Sequence, residues 1–70
     1  MPIPVGMRVR YTDEDLLRQL KLAGVEGVVV GHVEGLCNLV KVEGRTDPWF
    51  SPDEQLIVLG HQHSNHVSNK

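Results

Sequence analysis

The sequence predicts one small, mainly β domain of five short strands, with a short helical insert after the first strand and a one-turn helix before the last. Three observations predict it. The chain has 70 residues, which is one domain at most. Seven glycines and four prolines cut it into short pieces. The pieces between them alternate apolar and polar residues or run in β-branched ones, as strands do.

The first strand is read from Val5 to Tyr11, where Val5, Met7, Val9 and Tyr11 alternate with Gly6, Arg8 and Arg10. Pro2 and Pro4 precede it, where a missing amide hydrogen does least harm to a ladder. Thr12 to Gly24 then reads as a helix of two to three turns. Thr12 and Asp15 stand at capping-box spacing, and acids fill the first turn. Leu16 and Leu20 share a face, and Gly24 stops the helix in the left-handed conformation. Val25 to Val33 is the clearest strand; its three consecutive valines predict burial on both faces, with Gly27 and Gly31 at bulges or bends. Glu34-Gly35 forms a hairpin tip, and Leu36 to Val42 alternates again. After the turn-rich Glu43–Pro48, Trp49 and Phe50 begin a short strand. Ser51-Pro52-Asp53-Glu54-Gln55 reads as one helical turn capped by Ser51, and Leu56–Leu59 as the last strand, released by Gly60. The domain is thus residues 1–60. The tail, 61–70, has one apolar residue and is expected to be disordered.

Three segments resemble the SH3-like superfamily of small β-barrels. Gly6-Met7-Arg8-Val9-Arg10 is similar to its opening strand, and Gly24-Val25-Glu26-Gly27-Val28-Val29 to the "G-x-x-G-x-V" segment shared with KOW modules. Trp49-Phe50-Ser51-Pro52-Asp53-Glu54-Gln55-Leu56 resembles the closing turn of bacterial SH3-like accessory domains. The resemblance covers residues 5–59 and implies a five-stranded SH3-like barrel. These motifs are structural and say little of function. The insert at 13–22 is longer than the matching loop in many members. Type II dihydrofolate reductases share the fold and the length, but their V-Q-I-Y motif is absent: the chain has Gln55-Leu56-Ile57-Val58.

A core this thin favours a binding module over an enclosed active site. No catalytic set is read, no cofactor is expected, and only a site shared between subunits would leave room for catalysis. A protein partner is the first expectation, at a surface combining Trp49, Phe50 and Tyr11 with Leu17 and Arg18 of the insert. Trp49 is either half-exposed at that surface or a lid over one barrel end. Surplus leucines in the insert and free strand edges also make a homo-oligomer an expectation. The alternative is a KOW-type nucleic-acid surface using Arg8, Arg10, Lys21, Lys41 and Arg45; the net charge of −2 disfavours it. A third reading gives His61, His63 and His66 to zinc, copper or nickel, although a flexible end lacks the scaffold a metal site needs. His32 and Cys37 flank the hairpin tip without a third orienting group, which favours a structural pair over an activated thiolate. One cysteine excludes an internal disulfide, and no apolar run approaches the roughly 20 residues of a membrane span. A cytoplasmic protein without membrane contact is expected.

Overall fold

The computed structural model describes residues 3–34 and 37–61. In chain order these form β1 (Met7–Tyr11), α1 (Asp15–Gln19), β2 (Glu26–Val33), β3 (Cys37–Val42), β4 (Trp49–Ser51), a 3₁₀ turn (Asp53–Gln55) and β5 (Leu56–His61). The strands make one five-stranded antiparallel sheet in the order β4-β3-β2-β1-β5. β4 and β5 are its two edges.

Alternation decides what is buried. Val9 and Tyr11 of β1 and Val40 and Val42 of β3 point into the core with Val29 of β2, while Arg8, Arg10 and Lys41 face outward. Leu17, Leu22, Ile3 and Leu56 complete the core, and Met7, Ala23, Val25 and Trp49 pack against it. The three valines of β2 are not buried on both faces. Val29 is buried, but Val30 is 50 % exposed, because the described residues place no second layer over the outer face. The pairing of β2 with β3 also slips between Val29 and Gly31, leaving Val30 as an extra residue in a bulge. The glycine motif is explained at Gly27, where a methyl group would lie 2.6 Å from the Lys41 carbonyl oxygen and 2.8 Å from a Val40 methyl. Only glycine lets β2 and β3 approach there.

The helix is shorter than its sequence predicts, and it ends differently. Gly24 is left-handed, at φ 78°, but the helix has already closed at Lys21, which takes the same conformation at φ 63°. Leu22 N–H donates to the Leu17 carbonyl (2.8 Å) and Lys21 N–H to that of Arg18 (3.1 Å). This is a Schellman closure, and the leucines it joins, Leu17 and Leu22, are both buried. Leu16 and Leu20, the pair read as sharing a face, both lie on the exposed side. The capping box does not form: Glu14 is the N-cap without a side-chain bond, and Thr12 Oγ1 donates to Glu14 Oε2 at 2.8 Å.

Ser51 likewise does not cap the 3₁₀ turn, whose N-cap is Pro52. It is buried, and its hydroxyl shares a 2.6 Å hydrogen bond with the Tyr11 phenol. That bond joins β4 to β1 across the concave face, so the sheet is strongly curled. Beside it, buried Asn38 accepts from Ile3 N–H (3.1 Å) and donates to the Ser51 carbonyl (3.0 Å) and Asp53 Oδ1 (2.7 Å). At the other margin β5 does not stop at Gly60. A register shift opposite Arg8 and Val9 carries it on to His61.

Candidate protein-binding surface

The outer face of the sheet divides into two unlike halves. One half holds Arg8 and Arg10 of β1, Glu26 and Val28 of β2, and Lys41 of β3. The Glu26 carboxylate there binds both arginines, Arg8 through Oε1 and Arg10 through Oε2 at 3.2 Å. These bonds hold the Glu26 carboxyl below its ordinary range, the Arg10 bond contributing most. Lys41 Nζ donates to the Arg45 carbonyl at 3.0 Å. Three of the cations read as a nucleic-acid surface are therefore committed within the domain.

The other half is apolar. Register pairs Phe50 of β4 with Leu39 of β3, Leu39 with Gly31 of β2, and Cys37 with Val33. Alternation directs these residues outward, opposite to Asn38 and Ser51. Phe50 is 67 % exposed on a three-residue edge strand, and Leu39 is half-buried beside it. No charged side chain belongs to this group. Gly31 helps form its floor, with a would-be Cβ at 3.5 Å from a Leu39 methyl.

Of the residues expected at a protein-binding surface, Phe50 is the one freely presented. Tyr11 and Leu17 are core residues and are withdrawn from that surface. Tyr11 follows Val9 on the inner face, and Leu17 is fixed by the helix closure. Burial raises the Tyr11 phenol above its ordinary value, with the Ser51 hydrogen bond and nearby Arg45 opposing the rise. Trp49 is half-buried against the core, and the Arg45 guanidinium stacks over its ring, 4.9 Å from the centroid. Arg45 also donates to the Leu20 carbonyl at 2.9 Å, so it ties the β3–β4 loop to the end of α1. Arg18 pairs with Asp13 (2.8 Å) and Asp15 (3.0 Å) on the exposed helix. Lys21 serves the helix end through its backbone.

His32 and Cys37 do not meet as a reactive pair. His32 lies opposite Asn38, its Nε2 donates to the Ile3 carbonyl at 2.6 Å, and Cys37 lies opposite Val33 on the other face. The proposed metal ligands His63 and His66, and the side chain of His61, lie outside the described residues. Among the described residues no group of three His, Cys, Asp or Glu comes together, and no helix is long and apolar enough to cross a membrane. Sequence reasoning missed Leu39, Val33 and Val30. The alternation of β3 already set Leu39 apart from the buried Val40, but nothing in the sequence told that the described residues leave this face uncovered. Comparison with known protein families, with curated proteins and with solved structures finds no match for this chain.

Proposed function

We propose that this chain is a non-catalytic, cytoplasmic binding module of SH3-like barrel type, which recognises a partner protein through the apolar half of its outer sheet face. The observation that carries the reading is Phe50, 67 % exposed on an edge strand with Leu39 opposite it. An exposed aromatic set in an uncharged patch is the usual anchor of a protein interface. The barrel reading is supported by the strand order, in which β1 lies between β2 and β5, and by the Tyr11–Ser51 bond linking β1 to β4. The charged half gives less support to nucleic-acid binding, since Glu26 engages both Arg8 and Arg10 and offsets one of their two positive charges.

The test is selection of random peptides on the immobilised full chain, followed by titration of the recovered peptides against wild type and Phe50→Ser. Peptides rich in apolar residues are expected, with affinity at least about tenfold weaker for the variant. Peptides that bind Phe50→Ser as well as wild type would sink the reading. Steeply salt-dependent binding of an oligonucleotide would move function to the arginine face.

A further inference from the structure

We propose that β5 is a pairing edge for a second copy of this chain, joined antiparallel across a two-fold axis so that the two sheets run on as one. β5 is the last strand in the sheet order and has β1 as its one neighbour. Half of its backbone N–H and C=O groups point away from β1, as on any edge strand. After buried Leu56 its side chains are bare: Ile57 is 46 % exposed, Val58 51 % and Leu59 41 %. From Leu56 to Gly60 it has no titratable group.

Solitary edges are normally shielded by brevity, proline or charge. The opposite edge, β4, has two of these protections, being three residues long and set between Pro48 and Pro52. β5 is six residues long and contains neither proline nor Lys, Arg, Asp or Glu. Its irregular pairing lies at the C-terminal end, beyond Val58, and leaves Leu56 to Val58 regular.

The chemistry of the strand selects a second copy as occupant. Two-fold pairing is antiparallel, the sense of every other pair in this sheet. The uncharged centre sets no like charges against each other when the strand meets itself.

Equilibrium sedimentation of the full chain tests this. Wild type and Phe50→Ser are expected to form a dimer with the same concentration dependence, and Val58→Lys to remain monomeric where they dimerise. Should Val58→Lys not fold, disulfide trapping decides. In a Cys37→Ser background, Val58→Cys or Leu59→Cys should cross-link the dimer under mild oxidation well ahead of Phe50→Cys. A wild-type chain that stays monomeric at high concentration overturns the proposal. So does a dimer that survives Val58→Lys, or trapping no faster than at Phe50. A chain cut after His61 that dimerises while the full chain does not would show the tail covering its own edge, and would also overturn it. Because Phe50→Ser alters only the other surface, failure here leaves the peptide-binding reading standing, and the reverse holds too.

Discussion

At the scale of single residues, Tyr11 and Ser51 show how a side chain suited to a surface can be claimed by the interior. Tyr11 is the one tyrosine of the chain, and it was expected at the partner surface with Trp49 and Phe50. Its position two residues after Val9 was the stronger signal, because β1 alternates strictly. The phenol is buried, and its hydroxyl depends on Ser51 for a partner. Tyr11→Phe should therefore cost about 1–3 kcal/mol by leaving the Ser51 hydroxyl unpaired, and Tyr11→Phe with Ser51→Ala should recover part of that loss. Urea unfolding of the three variants checks it; a double variant less stable than the sum of the singles contradicts it. The raised phenol value also fixes the sign of a pH effect. Folding favours the protonated form, so this contribution is complete below 10.0, the value of a free phenol, and is lost as the pH rises from there through the higher folded value. Tyrosinate absorbance, which reports on Tyr11 alone, should titrate above the free phenol's range in the folded chain and return to it in urea.

At the scale of elements, the helix was legible in its existence but not in its end. Acids before Arg18 and a leucine-rich run mark a helix start. Gly24 was the natural stop by residue type, yet the chain turns at Lys21. The reason is tertiary: ending there brings Leu17 and Leu22 together into the core. Preference lost to packing. Lys21 then sits at φ 63°, which costs a side-chain-bearing residue about 1 kcal/mol. Lys21→Gly should stabilise the domain by up to about that amount, read from the urea midpoint, and a loss of stability would contradict the closure described. Strand positions were mostly legible from alternation, Val9, Val40 and Val42 among them. The outward half of β2 was not, since Val30 reads as core but the described residues place nothing above it.

At the scale of the whole molecule, local signals place each strand but not the curl that brings β1 and β4 together. That curl depends on contacts between residues far apart in the chain, which alternation and propensity do not encode. The candidate surface follows the same division. Phe50 could be picked out by residue type, whereas its grouping with Leu39, Gly31 and Val33 required the register. The separation of charged and apolar halves is likewise a property of the assembled sheet. It comes from β1 and β3 each carrying their cations at one end of β2.

Asn38 has a consequence in time as well as in space. Its three bonds reach residues 35, 13 and 15 positions away, so its amide finds all its partners only after the first and last thirds of the chain have arrived. Interactions that close last contribute little to the barrier for folding and much to that for unfolding. Asn38→Ala should therefore quicken unfolding while leaving the refolding rate nearly unchanged, as seen in the two arms of a urea chevron. Refolding slowed as much as unfolding is quickened would place the node early instead. On the expected outcome, the side chain acts as a latch: it does little to guide the chain home and much to decide how long it stays.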